Sequence, residues 1–174
     1  DEYRAYGYDF PSAKVRFEQL EEVVAICRLM WSEAAPTFHG KHFHIEGASA
    51  PPLPELPPRV CIGASGEQVG LPLAGRIADM WNGRYVDDED YARKLGIVRA
   101  SAERAGRDPG AIEISNTVER PLPESDADSA ALLELLAHRA DLGVQHFVMD
   151  FGHPRSLEPI HRFVEQVMGP LKQR

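Results

Sequence analysis

The larger part of the sequence alternates between short apolar runs and longer segments with helical character. Apolar runs lie at 59–62, 78–82, 111–118 and 144–150, and the segments that follow them, at 66–77, 88–105, 126–141 and 156–168, have helical periodicity or capping residues. Because strands that alternate with helices form parallel sheets with crossover connections, this pattern predicts an α/β fold. Four such units equal half of an eight-stranded β/α barrel, and a small doubly wound domain fits the same pattern.

The first 58 residues precede this alternation and are interpreted as part of the same domain, which covers 1–174. We expect a loop at 1–12, an amphipathic helix at 13–31 with Ser12 as its N-cap, a short hairpin or edge strand at 37–47 and a proline-rich connector at 51–58. The four β/α units then occupy 59–174. Because the chain begins with Asp1 and has no first strand, we expect it to be part of a longer protein.

Composition excludes several classes of partner. The 174 residues suffice for one domain with a core, and the net charge of -8 argues against nucleic acid, whose phosphates require a basic face. No apolar run approaches the roughly 20 residues of a membrane span, and no signal peptide is visible, so a cytoplasmic location is expected by default.

Cys27 and Cys61 lie in apolar runs and are expected to be buried free thiols.

A small-residue loop follows the first apolar run of the alternation. Residues 60–62 lead directly into Gly63, Ala64, Ser65 and Gly66, after which a helix is expected to begin. Glycine at such a turn lets a ligand approach the backbone closely, and the free N–H groups at a helix start favour an anion such as phosphate. These four residues are therefore candidates for phosphate binding; the alternative is a simple strand-to-helix turn.

Several stretches, taken in order and spacing, resemble the luciferase-like monooxygenase family, the flavin- and deazaflavin-dependent barrel oxidoreductases. They are Glu2 with Tyr6-Gly7, Phe10-Pro11, Arg16-Phe17 and Leu20-Glu21-Glu22; Thr37-Phe38 with Gly40-Lys41 and Phe43; Pro57-Pro58 through Gly66; Ala78-Asp79-Met80-Trp81-Asn82; and Ala102 through Pro109. The chain departs from the family pattern at Ala64 and Ser65, where glycines are common, and at Met80, which replaces a glycine. The first half of the family's barrel, which would carry much of the cofactor pocket, is absent.

The resemblance implies the C-terminal half of a TIM barrel, with about four parallel strands and crossover helices. It implies that Gly63, Ala64, Ser65 and Gly66 hold the phosphate of a cofactor. At the end of the next strand, Trp81 and Asn82 would help to shape the pocket wall, although core packing explains Trp81 equally well.

The form Ala78-Asp79-Met80-Trp81-Asn82 resembles the branch of the family that uses the deazaflavin coenzyme F-420 (F420). The expected activity of the parent protein is hydride transfer between F420 and a small organic substrate. An FMN-dependent monooxygenase of the same fold is the alternative. The resemblance names no catalytic residue, and it leaves open whether this chain alone is an enzyme.

Other polar residues carry weaker signals. Glu119, Arg120 and Asp150 follow strands, where barrel geometry places them near an active face, but no partner is evident and exposed loops explain them better. The three histidines at 39, 42 and 44 form a cluster on the expected hairpin. Because zinc needs further ligands in a tetrahedral arrangement, we expect no metal site there.

Two alternatives to the oxidoreductase hypothesis are also consistent with the sequence. A half-barrel leaves two strand edges open, which invites pairing with a second copy as a homodimer, or use as a non-catalytic interaction module. An independent doubly wound domain that binds a phosphate ligand is the other reading, and it would have an open sheet with helices on both faces.

Overall fold

The computed structural model describes residues 2–154 and 156–173. A four-stranded parallel sheet follows a small N-terminal part. The elements are α1 (Glu2–Ala5), α2 (Ala13–Ser32), β1 (Phe38–His39), β2 (His44–Ile45), β3 (Cys61–Gly63), α3 (Gly70–Ile77), β4 (Met80–Gly83), α4 (Asp88–Arg104), β5 (Glu113–Glu119), α5 (Asp126–Asp141), β6 (His146–Asp150) and α6 (Glu158–Phe163), which continues into a π-helical turn (Val164–Met168) and α7 (Gly169–Leu171). A 3-10 turn (Pro109–Ala111) precedes β5.

Strand order in the sheet follows chain order, β3-β4-β5-β6, and every pair is parallel. A doubly wound sheet reverses its strand order at a switch point, whereas a β/α barrel adds each strand next to the previous one. The order therefore agrees with part of a barrel. None of the helices within the described ranges combines the length and the apolar content needed to cross a membrane.

One face of the sheet is covered by helices. Ile62, Trp81 and Ile114 are register partners across three strands, and all three are buried together with Leu71 of α3 and Val98 of α4. The contact between α3 and α4 is close, because a methyl group added at Gly75 would lie 2.3 Å from the carbonyl oxygen of Val98. This packing fixes the strands whose carboxyl ends carry the site.

A second apolar cluster covers the same face further along the sheet. Val118 of β5 packs there against Leu136 of α5 and against Phe163 and Val167 of the last helical segment. On the opposite face Cys61, Thr117 and Val148 are exposed. The helices thus pack on one face, unlike those of a doubly wound domain.

The exposure of that opposite face corrects the expectation of two buried thiols. Cys61 is exposed and Cys27 is only partly buried. Because side chains alternate along β3, the burial of Ile62 directs Cys61 to the uncovered face. Partial burial, together with the nearby Glu113 carboxylate, raises the pKa of the Cys61 thiol, so the thiol is neutral at pH 7.

The N-terminal part is anchored by a carboxylate. The hairpin β1–β2 forms as expected, and Glu22 of α2 accepts hydrogen bonds from the backbone N–H groups of Lys41, His42 and Phe43 at 2.7, 2.9 and 2.9 Å. The N-cap of α2 is confirmed, since Ser12 Oγ accepts a hydrogen bond from the Val15 N–H. The expected loop at 1–12 is wrong in one respect, because it contains the short helix α1.

Two helix boundaries differ from the sequence expectation. The helix predicted from Gly66 begins at Gly70. A helix starting at Gly66 would place Pro72 in its interior, where the missing N–H breaks a hydrogen bond, whereas the observed start places Pro72 in the first turn. The helix predicted at 156–168 begins at Glu158 and includes the π-helical turn.

Candidate functional site

A cavity of about 670 Å³ lies at the carboxyl ends of β3, β4 and β5. Because parallel strands end at the same edge, residues that follow different strands meet there. Of the predicted site residues, Gly63, Ala64, Ser65 and Asn82 line this cavity. Gly66 and Trp81 are not in its lining, and neither is Asp150, which accepts a hydrogen bond from the Gly152 N–H at 2.9 Å.

The two loop glycines have no internal reason to be glycine. Neither Gly63 nor Gly66 has a positive φ, and a Cβ atom built on either would have no atom within 4 Å. Backbone strain and packing therefore both permit a side chain at these positions. Gly63 leaves its backbone uncovered at the cavity, which suits the close approach of a ligand, and Gly66 does the same next to the lining residue Ser65.

The loop is not a helix N-terminus. Residues 67–69 form a turn, and the Leu71 N–H donates a hydrogen bond to the Gly66 carbonyl oxygen at 2.9 Å. Glu67, the first residue of this turn, pairs with Arg93 of α4 at 3.0 Å. An anion at this loop would therefore meet the backbone of 63–66 and the Ser65 hydroxyl, rather than the first turn of α3.

Trp81 supports the loop from behind. Its side chain is fully buried, with an exposed fraction of 0%, and it stacks on Tyr91 with ring centroids 5.6 Å apart. Its indole N–H donates a hydrogen bond to the Ala64 carbonyl oxygen at 3.0 Å. The core-packing interpretation thus describes the side chain, and the role that remains for it at the site is to position the loop.

Asn82 faces the cavity. It is in register with Gly63, and its Nδ2 donates a hydrogen bond to Thr117 Oγ1 of β5 at 3.0 Å. Thr117 lines the same cavity. An amide held in this way can present one more donor or acceptor to a bound molecule.

Asp79 lies at the other end of β4 and connects neighbouring elements. Its carboxylate accepts hydrogen bonds from Arg28 Nη2 and from the Val60 N–H, each at 2.8 Å. It therefore links α2, β3 and β4 at the sheet edge opposite to the cavity.

Positive charge gathers on the far wall of the cavity. Arg84, Arg120 and Arg139 line it, together with the carboxylate of Glu119. For Glu119 and Arg120 the sequence analysis considered a place near the active face but favoured exposed loops, and it did not single out Arg84 or Arg139. The position of Arg84 directly after β4 was a usable signal, because residues after strands face the site. Arg139 lies inside α5, where nothing in the sequence marks it.

Hydrogen bonds hold Arg139 in place. Its Nη1 donates to Asn116 Oδ1 at 2.6 Å, and Asn116 Nδ2 donates to the Gly83 carbonyl oxygen at 2.6 Å. The guanidinium carbon lies 4.2 Å from the ring centroid of Tyr85. Tyr85 in turn donates its hydroxyl hydrogen to Asp88, which raises the pKa of Tyr85.

The histidines at 39, 42 and 44 interact with other side chains. His42 contacts Glu18 of α2 at 2.8 Å, whereas His39 contacts Glu46 at 3.2 Å. The rings of His39 and His44 lie 5.8 Å apart. Within the described residues no group of three or more histidine, cysteine and acidic side chains is arranged to hold a metal.

Sequence comparison identifies relatives. The family model described as luciferase-like monooxygenase matches residues 1–167. The F420-dependent hydroxymycolic acid dehydrogenase of Mycobacterium tuberculosis is 34% identical over 100 residues, which are 58% of this chain and 27% of that protein. The F420-dependent glucose-6-phosphate dehydrogenase of Kineococcus radiotolerans is 33% identical over 134 residues, 75% of this chain and 38% of that protein. The chain thus spans less than half of the length of these relatives.

Solved structures share the fold. An F420-dependent secondary alcohol dehydrogenase in complex with an F420-acetone adduct superposes with a TM-score of 0.75 at 19% identity, covering 94% of this chain and 64% of that one. A long-chain alkane monooxygenase superposes with a TM-score of 0.78 at 12% identity, covering 99% of this chain and 59% of that one. The predicted fold class, part of a TIM barrel with four parallel strands and crossover helices, is confirmed.

Proposed function

Because the chain belongs to the luciferase-like monooxygenase family, we propose that it is part of an oxidoreductase that transfers a hydride between coenzyme F420 and a small organic substrate. The observation that carries this proposal is the loop 63–66, whose glycines are required by neither packing nor backbone conformation and which borders a cavity at the strand ends. Both curated relatives described above are named as F420-dependent, which supports the deazaflavin.

The residues at the loop suit a phosphate-bearing cofactor. Gly63 and Gly66 leave the backbone uncovered, and Ser65 adds a hydroxyl that can donate a hydrogen bond to a phosphate oxygen. Asn82 would form part of the pocket wall, and Trp81 would act through its hydrogen bond to Ala64. When bound, the deazaflavin supplies the hydride chemistry, while the chain binds and orients it.

The F420 proposal is preferred to the FMN alternative for one reason. The two relatives described above exceed 30% identity and are named as F420-dependent, whereas a monooxygenase such as the EDTA monooxygenase from Chelativorans is 18% identical and indicates a shared fold alone. At that level of identity a structural likeness carries no information about the cofactor.

Fluorescence titration of the purified chain with F420, and separately with FMN, tests the proposal. We expect saturable binding of F420 and none of FMN over the same concentration range. Binding of FMN alone would favour the monooxygenase. If neither cofactor binds at concentrations up to about 1 mM, equivalent to roughly 4 kcal/mol of binding free energy, this chain by itself does not form a cofactor site and the proposal fails for the chain alone. A non-catalytic interaction module would then describe the chain better.

A further inference from the structure

The buried arginine of the cavity, Arg139, has no carboxylate partner among the residues that the structure describes. Arg139 is 9% exposed, and its Nη1 bonds to the neutral amide of Asn116. Its Nε atom is buried and lacks a hydrogen-bond partner among the described residues. A buried charge is normally paired, because removing it from water without a counter-ion is unfavourable. Burial accordingly lowers the pKa of the Arg139 guanidinium.

A second arginine makes this arrangement less favourable still. Arg120 lines the same cavity, and its like charge also lowers the pKa of Arg139. Arg84 lines the cavity as well, and no ion pair joins any of the three to a carboxylate within the described part of the chain, the nearby Glu119 included. Three unpaired cations around one opening are unusual in a chain with a net charge of -8.

The arginines and the glycine loop lie on different walls of the cavity. The loop follows β3, whereas Arg84 follows β4, Arg120 follows β5 and Arg139 comes from α5. Cation–π contact with Tyr85 and the hydrogen bond to Asn116 hold the Arg139 guanidinium in one orientation before any ligand arrives. A preoriented guanidinium is suited to the paired oxygens of a phosphate or a carboxylate.

We propose that Arg139 and Arg120, assisted by Arg84, form a second anion-binding subsite that receives a phosphate or carboxylate group of a ligand bound in this cavity. The group belongs to the substrate or to the cofactor, and both sources share this chemistry. The proposal rests on the proposed function only in that both place a ligand in the same cavity.

Calorimetric titration with inorganic phosphate tests the subsite without any cofactor. The titration is made at constant ionic strength, with chloride as the replaced ion, so that general screening is held fixed. We expect saturable phosphate binding that weakens about tenfold or more in Arg120→Gln and Arg139→Gln, since each variant removes a charged donor. The matched control is Arg104→Gln, which removes the same charge from the exposed end of α4 and should bind phosphate like the wild type.

Two results overturn the subsite: no phosphate binding by the wild type, or equal binding by Arg120→Gln and Arg104→Gln. Arg120 is exposed, so its variant stays informative if Arg139→Gln fails to fold. A second titration, with F420 in saturating phosphate, identifies the source of the group. Competition that disappears in Arg120→Gln assigns the subsite to the cofactor. Unchanged F420 affinity, or competition that persists in Arg120→Gln, assigns it to the substrate. Failure of F420 to bind while phosphate still binds would overturn the proposed function alone.

Discussion

The indole N–H of Trp81 donates a hydrogen bond to the carbonyl oxygen of Ala64 at 3.0 Å, so a buried side chain of β4 fixes the loop that follows β3. The ring is held in turn by Tyr91 and by the close approach of Gly83, where an added Cβ atom would lie 2.6 Å from the indole. The loop therefore has a rigid support on the core side and an open surface on the cavity side.

Replacing Trp81 by Phe should separate support of the loop from packing. The variant keeps an aromatic ring but leaves the Ala64 carbonyl without its donor, which should cost about 1–3 kcal/mol in urea unfolding and weaken F420 binding. Tyr91→Phe is the matched control, because the Tyr91 hydroxyl is buried without a partner among the described residues. Burial raises the pKa of Tyr91 to about 12. Removal of the Tyr91 hydroxyl in this control should leave the free energy of unfolding unchanged or raise it. Equal F420 affinity in both variants would show that the hydrogen bond does not position the loop.

Adding one methyl group at different glycines should distinguish binding from packing. Gly63→Ala and Gly66→Ala add the methyl to open space and should leave the unfolding midpoint close to that of the wild type, while weakening F420 binding. In Gly75→Ala the added methyl group would collide with the Val98 carbonyl oxygen, so the free energy of unfolding should fall by about 1–3 kcal/mol or more.

Gly96→Ala is the control for the glycine series. A Cβ atom there also meets open space, but it lies within α4 and away from the cavity. It should stabilise the helix by about 0.5–1 kcal/mol and leave F420 binding unchanged. The assignment of the loop fails if the two loop variants bind F420 as tightly as Gly96→Ala does.

Sequence patterns predicted the strands well because each contains apolar residues that become buried or half-buried and is bounded by clear breakers. They did not decide whether the Trp81 side chain points into the core or into the cavity. The register does decide it, because Trp81 pairs with the buried Ile62 and register partners lie on the same face of the sheet. The start of α3 could have been placed from Pro72 alone. The burial of Arg139 could not be predicted in this way, because a single arginine in a helix is expected to be exposed until the packing of α5 against the sheet is known.

Acid should loosen the hairpin from α2. Hydrogen bonds from Lys41 and His42 lower the pKa of Glu18 from 4.5 to about 2. Because the folded-state pKa is lowered, this contribution to stability is complete above pH 4.5 and is lost as the pH falls towards 2. Denaturant midpoints measured across this range should fall in the wild type and fall less steeply in Glu18→Gln. Glu103→Gln, on the exposed side of α4, should follow the wild-type profile; a Glu18→Gln profile that does the same would exclude this linkage.

A carboxylate placed next to Arg139 should neutralise its charge and lower the affinity of the cavity for an anion. In Asn116→Asp the carboxylate would take the place of the amide oxygen that now lies 2.6 Å from Arg139 Nη1, and the cavity would lose one net positive charge. We expect phosphate binding to weaken about tenfold, since the bound anion would meet a neutralised guanidinium.

Asn116→Leu is the matched variant of similar volume without a charge. It leaves both Arg139 and the Gly83 carbonyl without their Asn116 partner, so it should lower the free energy of unfolding by about 1–3 kcal/mol. Phosphate should then stabilise this variant at least as much as it stabilises the wild type, because Arg139 depends more on an external anion. The opposite order, with phosphate bound better by Asn116→Asp than by Asn116→Leu, would mean that the anion does not contact Arg139.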